Sequence, residues 1–201
     1  MDSEFLSFTI IALVSYLLGS ISFGLIFTKL AGHGDIRKVG SGNIGATNVL
    51  RTGNKLLALA TLIFDAGKGS VAVLLAGYYG NDAMSVAAVA VLIGHIFPLW
   101  LNFAGGKGVA TGAGIYIAMS WPVAACALSA WVLTAVITRY SSLAALVAVG
   151  LTPIIAILLE PRLIPTTALL ALLIIYRHRE NIERLMAGTE DKIGISRKRE
   201  N

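Results

Sequence analysis

The segment FLSFTIIALVSYLLGSISFGLIF, Phe5–Phe27, decides the fold. It carries no charged side chain, and about twenty apolar residues in a helix suffice to cross the hydrocarbon of a bilayer. The preceding MDSEF has neither a cationic segment nor a small-residue cleavage site, so the run reads as a retained span and not as a removed signal peptide. The rest of the chain agrees. Of its 201 residues 56% are hydrophobic and 13% charged, with mean hydropathy +0.78. A soluble domain carries about 25% charged residues, so the composition is that of an integral membrane protein. The single cysteine, Cys126, lies in an apolar stretch and excludes both a disulfide framework and a thiolate metal site.

Working outward from the first span, the apolar runs predict an all-α bundle of seven transmembrane helices in one polytopic domain, at about 5–27, 56–79, 84–103, 109–120, 122–137, 143–159 and 164–182. The fourth is too short to cross unaided and reads as a partial span sunk in the bundle. Residues 189–201 read as a charged cytoplasmic tail. Gly19, Ser20, Ser22 and Gly24 give the first span small-residue spacings that favour close helix packing. With the N-terminus outside, the cations Lys29, Arg37, Lys38, Arg51, Lys55, Lys107, Arg139 and those from Arg177 onward collect on the cytoplasmic side. The exterior keeps Asp2, Glu4, Asp82, Glu160 and Arg162. The positive-inside rule therefore predicts N-out, C-in, and it explains the net charge of +5 without nucleic acid.

Three polar segments interrupt this hydrocarbon-like chain. RKVGSGNIGATNVLR, Arg37–Arg51, combines glycines, hydroxyls, amides and arginines, the groups that cradle an anion. Its Gly40–Gly45 satisfies G-x-G-x-x-G, but no strand precedes it and no βαβ unit is possible here, so a dinucleotide site is excluded. GGKGVAT, Gly105–Thr111, is not a Walker A loop, yet it brings glycine amides, a lysine and a hydroxyl to a helix N-terminus, where phosphate is favoured. YRHREN, Tyr176–Asn181, sets His178 among arginines and also fits a snorkelling helix end. Asp65 and Lys68, three apart inside the second span, read as a buried pair or as supporting charge for the site. His95 reads as a structural histidine. No paired carboxylates, metal cluster or His-x-x-x-x-Asp signature occur: the fifth residue after His33, His95 and His178 is Lys38, Trp100 and Glu183.

SGNIGATNVLR (Ser41–Arg51), DAGKG (Asp65–Gly69), GHIFPLWLNFAGGKGVAT (Gly94–Thr111) and YRHRENIERLMAGTE (Tyr176–Glu190) resemble, in order and over nearly the whole chain, the signatures of the bacterial PlsY family. These are membrane acyl-phosphate:glycerol-3-phosphate acyltransferases. The resemblance implies acyl transfer from acyl phosphate to the 1-hydroxyl of sn-glycerol 3-phosphate, giving lysophosphatidic acid and phosphate, at the cytoplasmic face of the cell membrane. It implies catalytic roles for Ser41, Arg51, Lys107 and His178. Glycerol 3-phosphate would be held by Ser41, Arg51, Lys107, Ser142, His178 and Asn181, with Ser141 as an alternative to Ser142. Asn43, Thr47, Asn48, Gly105, Gly106, Lys107, Gly108 and Thr111 would hold acyl phosphate. No cofactor, metal or obligate protein partner is implied.

Two phosphate-bearing substrates account for two glycine–lysine segments. Acyl phosphate is an activated anhydride, so a covalent acyl-enzyme is unnecessary and orientation with charge stabilisation suffices. The proton of the attacking hydroxyl falls to a substrate phosphate oxygen or to His178, and the arginines beside His178 favour the phosphate. A transporter of a small phosphate ester is the rival reading. Transporters place sites near the midplane between inverted repeats, whereas here the polar segments share one face and no repeat is visible.

Overall fold

The computed structural model describes residues 3–193. Ten α-helices follow in order: α1 (Ser3–Gly19), α2 (Phe23–Leu30), α3 (Ala46–Val49), α4 (Lys55–Ala76), α5 (Asn81–Ile96), α6 (Val109–Met119), α7 (Trp121–Thr138), α8 (Ser141–Leu159), α9 (Ile164–Arg177) and α10 (Arg179–Met186). Five stretches are long and apolar enough to cross a membrane: Ser3–Leu30, Lys55–Tyr79, Asn81–Leu101, Trp121–Thr138 and Ser141–Leu159. At 11 and 14 residues, α6 and α9 are shorter than the roughly twenty a full crossing needs. Large apolar side chains face outward, as on Leu13, Ile63, Val136 and Leu158, while alanines such as Ala72, Ala83, Ala87 and Ala88 line the interior. That arrangement suits a protein solvated by lipid, where small residues let helices approach and apolar groups need no shielding.

The principal packing pairs are α1 on α5, α4 on α6, and α7 and α9 on α8. Two are glycine interlocks. A Cβ on Gly69 would strike the Thr111 carbonyl and one on Gly114 the Ala66 carbonyl, so α4 and α6 touch backbone to backbone; Gly19 and Gly94 do the same for α1 and α5. Tyr116 of α6 meets Thr152 of α8 at 3.2 Å. Thr152 also donates to the Val149 carbonyl at 2.7 Å, the acceptor left vacant because Pro153 has no N–H.

Three predicted spans are not continuous helices. The first breaks at Ser20–Ser22, the third ends at Ile96 ahead of Pro98, and the seventh breaks at His178. A freed carbonyl at membrane depth must find another donor. Lys68 Nζ donates to the Ile21 carbonyl at 2.6 Å and Trp100 Nε1 to the Ser20 carbonyl at 2.7 Å. Tyr16 donates to the Phe97 carbonyl at 2.8 Å. Lys68 also pairs with Asp65 at 2.9 Å, both side chains being at most 3% exposed. The pair therefore pins α4 and caps the broken first span. Residues 189–193 are not a free tail either: Ile193 N–H donates to the Arg139 carbonyl at 2.7 Å, which draws the segment across the bundle end. Residues 194–201 of the expected tail lie outside the described residues.

Removing one partner of a buried pair costs about 3–5 kcal/mol. Lys68→Met should accordingly lower the thermal unfolding midpoint in detergent markedly. Asp65→Asn added to it should restore part of the loss but not all, because the Ile21 carbonyl remains without its donor; full restoration would show that the cap contributes nothing.

Candidate active site

The polar ends of these elements meet around one carboxylate. Glu190 Oε1 accepts from Ser142 Oγ at 2.7 Å and from Asn181 Nδ2 at 2.6 Å, and Oε2 accepts from Arg184 Nε at 2.6 Å. These donors hold the Glu190 carboxyl below its ordinary range against the opposing effect of burial. Beside it, Asp191 pairs with Arg51 at 3.0 Å. Neither acid carries a role in the sequence reading, although Glu190 closes the quoted motif. A carboxylate ringed by a guanidinium, an amide and a hydroxyl marks a pocket whose chemistry favours an anion.

The first polar segment is organised by Asn48. Its Oδ1 accepts from the Ser41 N–H at 3.0 Å, and its Nδ2 faces the carbonyls of Ile36, Val39 and Asn43 at 2.7–3.1 Å. Only 2% exposed, it shapes the loop, so the expectation that it contacts substrate is corrected. Asn43 Oδ1 turns to the Gly45 N–H at 2.8 Å. Ser41 and Thr47 lie exposed, Thr47 at 3.5 Å from Ser141. Ser142 is thus the hydroxyl turned to the carboxylate cluster, and Ser141 faces the first loop. Arg37 is drawn away by Asp35, 2.6 Å distant.

The second segment departs from expectation in a similar way. The Gly105 and Gly106 N–H groups donate to the carbonyls of Ile96 and His95 at 3.1 and 3.0 Å, so they cannot cradle a phosphate. Glycine is required here because a Cβ on Gly106 would overlap the His95 ring. The buried His95 ring lies directly against Gly106, and its Nδ1 has no hydrogen-bond partner among the described residues. Gly108, at φ +86°, turns the chain into α6. Among the described residues, the N–H groups from Lys107 to Thr111 have no partner, and the fully buried Thr111 hydroxyl has none either. The donors available to an anion are therefore those of Lys107–Thr111. Lys107 forms no ion pair among the described residues, and burial holds its ammonium down at about 8, with Arg184 and Arg177 adding repulsion and Glu190 and Glu180 opposing them.

The third segment supplies His178 and Asn181, 2% and 4% exposed. His178 Nδ1 lies 2.8 Å from the Ile174 carbonyl, which fixes the proton on Nδ1 and leaves Nε2 as the free nitrogen. The Asn181 Oδ1 has no partner among the described residues and stands as a buried acceptor for a hydroxyl. Asp65 and Lys68 sit beneath the loop, with His95 Nδ1 at 3.8 Å from Asp65, and serve as scaffold more than as site charge. No group of three or more His, Cys, Asp or Glu side chains among the described residues could hold a metal ion.

Comparison with known proteins gives a consistent result. A family model described as glycerol-3-phosphate acyltransferase matches residues 9–188. The glycerol-3-phosphate acyltransferase of Brucella anthropi is 56% identical over 196 residues, covering 96% of this chain and 98% of its own length. That of a Jannaschia species is 54% identical over 185 residues, covering 91% of each. Among solved structures, the glycerol 3-phosphate form of PlsY, an integral membrane glycerol 3-phosphate acyltransferase, superposes with TM-score 0.89 at 36% identity, over 94% of this chain and 96% of that one. Its lysophosphatidic acid form gives 0.86 at 34%, with the same coverage. Matched by the family model over most of its length and by relatives at more than 50% identity, the chain belongs to the glycerol-3-phosphate acyltransferases and, among them, to the PlsY family.

Proposed function

We propose that the chain transfers a fatty acyl group from acyl phosphate to the 1-hydroxyl of sn-glycerol 3-phosphate, giving 1-acylglycerol 3-phosphate and inorganic phosphate, at the cytoplasmic face of the bacterial inner membrane. The observation that carries the reading is the convergence of Arg51, Ser142, Asn181 and Arg184 on the Glu190–Asp191 carboxylates, with Lys107, which has no ion-pair partner among the described residues, acting on the same group. Acidic side chains occupy the position an anionic substrate would take. A relative whose structures carry glycerol 3-phosphate and lysophosphatidic acid supports the same reading for this chain. Seven membrane passages with N-out, C-in topology fit the distribution of cations, with α6 and α9 as short members.

In this mechanism Arg51, Lys107, Ser142 and Ser41 take the phosphate of glycerol 3-phosphate. The Asn181 Oδ1 and the His178 Nε2 take its hydroxyls. The Lys107–Thr111 amides, the Lys107 ammonium and the Thr111 hydroxyl take the phosphate of the acyl donor, with Thr47 and the Asn43 amide nitrogen at its edge, while the acyl chain lies among the helices beside the short α6. The 1-hydroxyl oxygen bonds to the acyl carbon, the bond from that carbon to the phosphate oxygen breaks, and the departing phosphate takes the hydroxyl proton. A second positive charge on His178 would be costly beside Lys107 and Arg177, so the phosphate oxygen is the base. Charge held on both phosphates, together with alignment of the two groups, supplies the acceleration without an acyl-enzyme.

The deciding experiment measures phosphate release by purified protein in detergent given acyl phosphate and glycerol 3-phosphate. Turnover should need both, and acyl-CoA or acyl carrier protein should not replace acyl phosphate; absence of turnover with uptake of glycerol 3-phosphate into proteoliposomes would favour a transporter. His178→Gln should depress turnover while keeping the pH dependence of the parent, and loss of the parent's acid limb would instead identify His178 as the base.

The Lys107 ammonium is held down at about 8, so its charge is present below that pH and lost above it. The kcat/KM should therefore fall as pH rises through about 8. The same limb in kcat should lie higher, because bound phosphate stabilises the ammonium. Lys107→Arg should abolish the limb, since a guanidinium does not deprotonate. Asp191→Asn releases Arg51 and should lower the KM for glycerol 3-phosphate about two- to fivefold, the value of a half-exposed ion pair; a raised KM would mean that Asp191 orients Arg51 instead of competing for it.

A further inference from the structure

Arg177 closes α9 yet does not turn to solvent with its neighbour Arg179, which lies over the Tyr176 ring. Its guanidinium donates from Nε to the Gly106 carbonyl and from Nη2 to the Gly105 carbonyl, both at 3.2 Å. The group is half-buried and stands 5.8 Å from the centre of the Phe97 ring, on the turn that ends α5. The two glycine peptides are thereby gripped from both sides. Their N–H groups go to the carbonyls of Ile96 and His95, and their carbonyls go to Arg177.

A trans peptide is planar, so its C=O and N–H point in opposite directions. The unit whose carbonyl is Gly106 O carries the Lys107 N–H at its other end, the first of the unpaired amides that lead into α6. Holding that carbonyl fixes the direction of the Lys107 N–H and the point from which the lysine side chain departs. A charged donor on the carbonyl also polarises the unit and strengthens the opposite N–H as a donor. We infer that Arg177 is the positioning residue of the Gly105–Gly108 loop, aiming the Lys107 amide at the phosphate of the acyl donor without touching that substrate itself. The inference rests on the assignment of this loop to acyl phosphate.

A fork that reaches two successive carbonyls is a guanidinium property, and an ammonium cannot reproduce it. Arg177→Lys should therefore keep the thermal midpoint close to the parent's while lowering kcat/KM for acyl phosphate about 10–100-fold, the range seen when a supporting contact behind a functional ligand is lost. The KM for glycerol 3-phosphate should move less than about threefold, because Arg177 holds the Lys107 peptide, whereas that phosphate is met by the end of the long Lys107 side chain together with Arg51, Ser142 and Ser41. Arg177→Ala should regain turnover on addition of guanidinium ion, and Arg177→Lys should not. Parent-like kinetics in Arg177→Lys, or equal losses toward both substrates at an unchanged midpoint, would overturn the inference. Should Arg177→Ala fail to fold, the Lys variant and Arg177→Gln carry the test alone. Calorimetric binding of inorganic phosphate to the same proteins, saturated with glycerol 3-phosphate so that only the donor position is open, separates the two ideas. A parent that turns over no acyl phosphate removes the donor assignment, whereas phosphate bound equally by parent and Arg177→Lys removes the role of Arg177.

Discussion

Within hydrocarbon every backbone carbonyl needs a donor, and the remainder of the structure follows from how this chain meets that demand at its interruptions. The first span opens at Ser20–Ser22 because Lys68 and Trp100 stand ready to take the two exposed carbonyls. The end of α5 is closed by the glycine N–H groups of the following loop, and the Ile174 carbonyl at the end of α9 is taken by the His178 ring. Even the internal Pro153 is matched by a threonine hydroxyl. These repairs are also the means by which the site is built. The loop that satisfies α5 delivers Lys107, and the histidine that satisfies α9 is left with one nitrogen free.

The electrostatics obey the same economy of partners. Cations drawn to one face would repel one another without anions between them. Glu190 and Asp191 provide these anions, so the cluster is kept together without a bound substrate. Lys107 lacks such a partner among the described residues and is half-buried, which makes it the member of the cluster most in need of an anion.

What could be read in advance was whatever depends on local composition. Apolar runs mark where helices lie: Lys55–Ala76 overlaps the run 56–79, Ser141–Leu159 the run 143–159, and α6 is short. The polar segments that form the cluster announced themselves because polar residues are conspicuous in such a chain. The helix breaks were hidden, since Ser20–Ser22 is stable only with Lys68 and Trp100 supplied from remote positions. The reversal at Gly105 and Gly106 was hidden for the same reason. Glycine composition says that a backbone can approach something, but not whether that something is a phosphate or the His95 carbonyl. Asn48 looked like a ligand because an amide serves a loop and a substrate with the same atoms. Glu190 escapes a reading by residue type because an acid belongs in an anion site only where it stands in for the anion.

The join between Arg51 and Asp191, and the return of Ile193 to Arg139, bring the first polar loop and the last described residues of the chain together. Those last described residues follow every helix of the bundle, whereas the loop they meet precedes α4. Contacts of such wide sequence separation carry the largest loop-closure cost, so the cluster is the part of the fold that depends most on the helices between its two ends being packed.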